Sequence, residues 1–306
     1  MPINIPGSLP AASALENENI FIMKQDRAET QDIRPLRILL LNLMPKKSET
    51  ETQILRLLSN SPLQVDIELL QTASHVSKNT PQQHMIKFYS KLDDIRSQKF
   101  DGMIVTGAPV ENLEFEDVDY WDELCEIFDW AKTHVFSTLY ICWGAIAGLY
   151  YHYGIKRKLQ DEKIFGIFPH SVLVPRNSIV RGFDETFYVP HSRYFYLDAE
   201  EIDKCNDLTL LTTSYLSGVH MVASNSRPDF FITGHSEYDR DTLANEYQRD
   251  VDKGLDIQIP HNYFPNDDPN ETPRSIWRSH ANLLFSNWLN YVVYQNTPYD
   301  IDQIGR

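Results

Sequence analysis

Residues Val135–Gly154, VFSTLYICWGAIAGLYYHYG, carry the reading of the fold. Val135–Cys142 is an apolar run of strand length, the pattern of a strand buried on both faces. Trp143–Tyr153 follows as a helix, with Gly154 as its C-terminal stop. The same order occurs upstream. RILLLNL (Arg37–Leu43) reads as a buried strand, and after Met44-Pro45 the run Ser48-Glu-Thr-Glu51 has the form of a capping box. Ile54, Leu55, Leu57 and Leu58 then mark the helix. Val65–Thr72 is a second strand and Phe100–Pro109 a third that ends in a tight turn. Asp119–His134 is a helix with Leu124, Ile127, Phe128 and Ala131 on one face. Strands alternating with helices imply an α/β fold, a doubly wound, mostly parallel sheet.

The second half is richer in strands. FGIFPHSVLV, ETFYVPHSRYFYL, LTLLTTSY and GVHMVASN read as a β-rich insertion with hairpin-like turns. Asp229–Asp239 returns to strand, turn and helix start. Asp241–Lys253 is helical, with Leu243, Tyr247 and Val251 on one stripe, and Thr272-Pro273 opens a last helix through Trp277, Phe285 and Trp288. Residues 1–35 lack periodicity and read as an arm over the surface, leaving 36–306 as one α/β domain.

Composition narrows the function. The 306 residues are 42% hydrophobic and 23% charged, the range of an ordinary globular protein. With 28 Lys+Arg against 43 Asp+Glu the net charge is -15, which argues against a nucleic-acid binder or a protein held on anionic lipid. No apolar stretch is long enough for a membrane span, and the first residues lack the charge pattern of a secretory signal. Three cysteines without a CxxC pair suit a reducing cytoplasm. No two glycines form G-x-G, and Gly102 and Gly107 have phosphate-loop spacing but are followed by Ala108-Pro109. His235-Ser-Glu237 fits the H-x-E of a zinc deaminase, yet without CxxC the ion would have too few ligands, so no metal is expected.

Cys142 stands between strand and helix. A thiol there meets unpaired backbone N–H groups and the positive helix end, which favour thiolate. The Trp143 N–H points where an oxyanion would form, and Gly144 lets the chain turn, as in a nucleophile elbow. The alternative is a buried structural cysteine. Cys125 and Cys205 lack such a setting. His235 and Glu237 supply a base and its orienter just past another apolar strand. The carboxyl ends of the strands gather Cys142, His235 and the Thr106–Pro109 turn at one edge.

This constellation resembles the class I glutamine amidotransferase-like fold, with Tyr140 where the usual elbow has its first glycine. MPINIPGSLPA, LLLNLMPKKSETETQ, TGAPVE, ICWGAIAGLYYHYG, GHSEYD and the helix of Arg249 resemble the homoserine O-acyltransferase family of methionine biosynthesis, over essentially the whole chain. The resemblance implies acyl transfer from acyl-CoA to the γ-hydroxyl of L-homoserine. Cys142 would be the acylated nucleophile, His235 the base and Glu237 its partner, with Lys163, Ser192 and Arg249 at substrate-binding positions. Backbone N–H groups of Trp143 and Val110 are the oxyanion candidates. Lys46-Lys47 and Lys156-Arg157-Lys158 are candidates for the coenzyme A phosphates. By the same resemblance Glu111 reads the acyl group, Glu going with acetyl and Gly with succinyl transfer. Acetyl-CoA is thus expected as co-substrate, with no permanently bound cofactor, and the arm and aromatic last helix suggest a homodimer. The competing readings are succinyl transfer, a glutamine amidohydrolase using the same triad, and a binding protein that has lost activity.

Overall fold

The computed structural model describes residues 3–5, 8–17, 23–24, 34–74 and 80–305. Its strands are β1 (Ile3–Ile5), β2 (Met23–Lys24), β3 (Leu36–Leu41), β4 (Val65–Leu70), β5 (Tyr89–Ser90) and β6 (Phe100–Val105). They continue with β7 (Val135–Ile141), β8 (Lys158–Val172), β9 (Thr186–Tyr196), β10 (Leu208–Ser214), β11 (Gly218–Ser224) and β12 (Phe230–Ile232). The helices are α1 (Pro10–Asn17), α2 (Lys47–Leu58), α3 (Gln82–Phe88), α4 (Leu92–Ile95), α5 (Trp121–His134), α6 (Trp143–Tyr153), α7 (Ala199–Lys204), α8 (Thr242–Asp252) and α9 (Arg278–Asn287).

The strands with unbroken apolar runs form the centre. β4, β3, β6, β7 and β12 lie side by side and parallel. Every residue of β6 is buried, which a strand covered on both faces requires. Alternate residues of β7 face opposite layers. Ser137 accepts a hydrogen bond from the Trp288 indole at 3.0 Å on one side. Tyr140 meets the Phe128 ring of α5 edge-on at 5.5 Å on the other. The β-rich half is continuous with this sheet. β11 pairs antiparallel with β12, and β10, β8 and β9 extend the same sheet outward.

Several expectations change. The arm is not merely draped on the surface: β1 pairs in parallel with β4, and Leu9, Ala11, Ala12 and Leu15 are in the core. Trp277, Phe285 and Trp288 of the last helix are likewise buried. Ser48 and Glu51 form no capping box. The helix starts two residues earlier, with Lys46 as N-cap and no side-chain bond. Glu51 is wholly buried and accepts from Tyr89 at 2.6 Å. The last helix begins at Arg278 rather than Thr272-Pro273, and a π-helical stretch, Trp288–Tyr294, extends it. In α8 it is Asp250, not Val251, that turns inward. No helix among the described residues is long and apolar enough to cross a membrane.

The parallel strands end together. Thr106 follows β6, Cys142 follows β7, and Thr233–His235 follow β12, all at the carboxyl edge where open α/β sheets bind ligands.

Candidate active site

Cys142 is the N-cap of α6, with φ 50° and ψ -115°. A non-glycine residue there bears about 1–3 kcal/mol of strain, held only by firm anchors on both sides. Its N–H donates to the Ile232 carbonyl at 2.7 Å, and its carbonyl accepts from Ala145 and Ile146 at 3.0 and 3.2 Å. Trp143 opens the helix, so its N–H has no partner within that helix. Gly144 is needed for closeness rather than for the turn: a Cβ there would lie 2.6 Å from the Thr106 carbonyl oxygen. The positive φ falls on the cysteine itself. Tyr140, in place of the usual glycine, stacks on Phe231 of β12 with ring centroids 4.7 Å apart.

His235-Ser236-Glu237 forms a turn, not the extended stretch expected. The His235 N–H donates to the Pro190 carbonyl of β9 at 2.8 Å, and Tyr238 N–H returns to the His235 carbonyl at 3.3 Å. This turn sets Glu237 Oε1 2.6 Å from His235 Nδ1. The Tyr238 ring stacks on the imidazole at 4.1 Å. On its other side His235 is within hydrogen-bonding reach of Cys142. A Cβ built on Gly107 would lie 3.8 Å from Cys142 Sγ and 3.6 Å from His235 Cε1, so three strand ends close on one spot. Burial disfavours the imidazolium. The Cys142 sulfur and Glu237 carboxylate outweigh it and hold His235 well above the ordinary histidine range.

The remaining candidates divide into two groups. Ser192, Lys163 and Arg249 converge on two carboxylates of α8. Ser192 Oγ donates to Glu246 Oε2 at 2.5 Å, and Lys163 Nζ lies 3.6 Å from Glu246 and 3.4 Å from Asp250. Arg249, half exposed, pairs with Asp250 at 2.8 Å. Burial raises Asp250, but Arg249 and Lys163 prevail and keep it below the usual carboxylate range. Glu111 also reaches the site: its Oε2 accepts from Tyr194 N–H at 3.1 Å. Burial pushes Glu111 up, opposed by that N–H and by the charges of Lys163, Arg193 and His235.

The basic clusters are employed differently from expectation. Lys47 is buried, donates to the Asn42 carbonyl at 2.5 Å, and burial lowers it to about 8. Arg157 donates to the Glu111 and Leu113 carbonyls at 3.2 and 2.5 Å, bracing the loop that carries Glu111. Lys158 pairs with Asp198 at 2.7 Å. Lys46 is exposed beside Glu49 at 3.6 Å.

Three residues escaped the sequence reading. Glu246 receives the Tyr238 hydroxyl at 3.0 Å as well as Ser192. Tyr238 shields His235, and Arg193 is fully buried beside the site. Arg193 had one available signal, a charge in the apolar run YVPHSRYFYL on the face opposite Ser192.

Comparison with known proteins shows what the chain is similar to. A homoserine O-acetyltransferase of Bacteroides fragilis is 60% identical over 304 residues, covering 99% of this chain and 100% of its own. One from Methanomassiliicoccus intestinalis is 58% identical over 306 residues, covering 100% of both, and one from Acetivibrio thermocellus is 56% identical over 304 residues, covering 99% of this chain and 100% of its own. A glutamine amidotransferase from Thermotoga maritima superposes with a TM-score of 0.56 at 12% identity, over 86% of this chain and 100% of its own, which shows a glutamine amidotransferase-like fold. The homoserine O-succinyltransferase family model matches residues 2–299, and the chain belongs to that family.

Proposed function

We propose that this chain transfers an acetyl group from acetyl-CoA to the γ-hydroxyl of L-homoserine, through a thioester on Cys142, in cytoplasmic methionine biosynthesis. The observation that carries the reading is the strained Cys142 elbow beside a His235–Glu237 pair 2.6 Å apart. It occurs in a chain 60% identical, over 99% of its length, to a protein named homoserine O-acetyltransferase.

The chemistry follows from the atoms present. The Cys142 sulfur attacks the thioester carbonyl, and N–H groups of Trp143 and the Gly107–Val110 turn are the donors for the oxyanion, each worth a few kcal/mol. The bond to the coenzyme A sulfur breaks, and that sulfur takes the proton held by His235. The first step exchanges one thioester for another and is near balance. His235 then removes the hydroxyl proton of homoserine. The oxygen attacks the acyl carbon, the bond to Cys142 breaks, and the free thiolate returns. Glu237 orients the imidazole and offsets its charge.

Arg249 and Lys163 suit the homoserine carboxylate, and Glu246, fixed by Ser192 and Tyr238, suits its ammonium group. Glu111 occupies a seat made for one carboxylate, between the Tyr194 N–H and the cations of Lys163 and Arg193. The terminal carboxylate of a succinyl group would compete for that seat, whereas a methyl would not. The test incubates the protein with acetyl-CoA and homoserine and identifies the product. O-Acetylhomoserine with parallel-line ping-pong kinetics is expected. Ammonia released from glutamine, with no reaction of acetyl-CoA, would overturn the reading.

A further inference from the structure

Arg193 is a fully buried cation, and no carboxylate forms an ion pair with it among the described residues. Its donors go to neutral acceptors. Nε meets His191 Nδ1 at 3.2 Å, while the two terminal nitrogens donate to the Phe195 and Ser217 carbonyls. Arginine has no acceptor and stays protonated, so His191 Nδ1 must be the bare nitrogen. The His191 proton therefore sits on Nε2, which is 3.1 Å from His170 Nε2. His170 Nε2 is then an acceptor, and its own proton sits on Nδ1, 2.9 Å from the Phe168 carbonyl. Each tautomer follows from the one before. Burial keeps both rings neutral, lowering His170 to about 3 and His191 well below its ordinary value.

The chain ends beside the reacting groups. On the same strand, the Pro190 carbonyl receives the His235 N–H and the Tyr194 N–H holds Glu111, so Arg193 lies between two anchors of the site. We propose that His170 and His191 are positioning residues, a strut of two imidazoles from the Phe168 carbonyl to Arg193 that fixes the guanidinium as a permanent positive charge behind Cys142 and Glu111. Burying a cation without a paired anion is costly, and the site's own negative charges offset it. Cys142 and Glu111 are the groups that pull Arg193 upward against its burial, which lowers it to about 10.

His220 lies beside the strut, its ring 4.5 Å from that of His170 and both nitrogens without partners. The three histidines have the spacing of a metal site. A metal on His191 Nε2 would strip the second proton from a ring whose Nδ1 already accepts from Arg193, and would set a cation beside the guanidinium. The strut accounts for the geometry without one.

Two measurements test the strut. In the full chain with 15N-labelled histidine, His170 should report the Nδ1–H tautomer and His191 the Nε2–H tautomer, both unchanged from about pH 6 to about pH 8. The opposite tautomer on either ring, protonation in that range, or stoichiometric bound zinc would overturn it. The second arm uses isosteres. His191→Asn keeps an oxygen at the Nδ1 position for Arg193, while His191→Gln keeps a donor towards His170 and leaves Arg193 Nε unmet. Acetyl-cysteine formation in a single turnover should be roughly tenfold faster in the Asn variant than in the Gln variant. Equal rates, or rates that follow the two melting temperatures, would contradict the role. Only this kinetic arm rests on the acyl-cysteine reading. A wild type that forms no adduct would defeat that reading, and the tautomers would still decide the strut.

Discussion

Glu111→Gly should turn an acetyl-selective enzyme into one that accepts succinyl-CoA. In the wild type the Glu111 carboxylate takes the Tyr194 N–H at 3.1 Å and faces Lys163 and Arg193. A succinyl carboxylate brought to ~4 Å of it would meet a repulsion of roughly 4 kcal/mol at an effective dielectric of ~20. If the nearby cations and a small side-chain shift halve that, about 2 kcal/mol remains. At tenfold per ~1.4 kcal/mol, the discrimination lies between about 30-fold and about a thousandfold. Removing the side chain frees the N–H and both cations for the incoming carboxylate. The assay measures kcat/KM with acetyl-CoA and succinyl-CoA at matched homoserine. The acetyl-to-succinyl ratio should fall by at least about 30-fold in Glu111→Gly. A wild type that prefers succinyl-CoA would refute the reasoning, and so would a ratio that barely moves in the variant.

Other expectations follow from the same geometry. Because burial raises Glu111, it takes up its proton at a higher pH than an ordinary glutamate. The neutral form loses the repulsion, so the acetyl-to-succinyl ratio of the wild type should shrink as pH falls. A ratio that grows on acidification would reverse the sign. His235→Ala should abolish turnover, a loss of at least about 10²–10⁴-fold, while Glu237→Ala retains a small residue because the carboxylate orients rather than transfers the proton. Equal wild-type rates in both would remove the triad. Cys142→Gly should be inactive yet raise thermal stability by about 1 kcal/mol, since glycine relieves the strain at φ 50°; an unchanged or lower melting temperature would show the turn to be unstrained.

Much of this was readable from the chain because buried parallel strands write themselves as apolar runs. β3, β6 and β7 were recognisable within one to four residues, and the elbow at Cys142 follows once β7 must end and α6 begin. The His235–Glu237 pairing was expected from two-residue spacing on an extended chain, but the structure makes it through a turn. What could not be read depends on contacts far apart in sequence. Glu51 looked like a cap because Ser48 precedes it, yet Tyr89 and His84, more than 30 residues away, hold it inside. Arg157 looked like a phosphate ligand and instead braces the Glu111 loop. Arg193 was hidden because a charge in an apolar strand signals burial without naming its partners, and those partners are the neutral His191 and two carbonyls.

The central claim is that Cys142 carries the acyl group between acetyl-CoA and homoserine. Intact mass of the wild-type protein mixed with acetyl-CoA alone tests it most directly. One acetyl group per chain is expected, mapped to Cys142, absent in Cys142→Ala and discharged on addition of homoserine. An unmodified wild type, or normal turnover by Cys142→Ala, would contradict the mechanism.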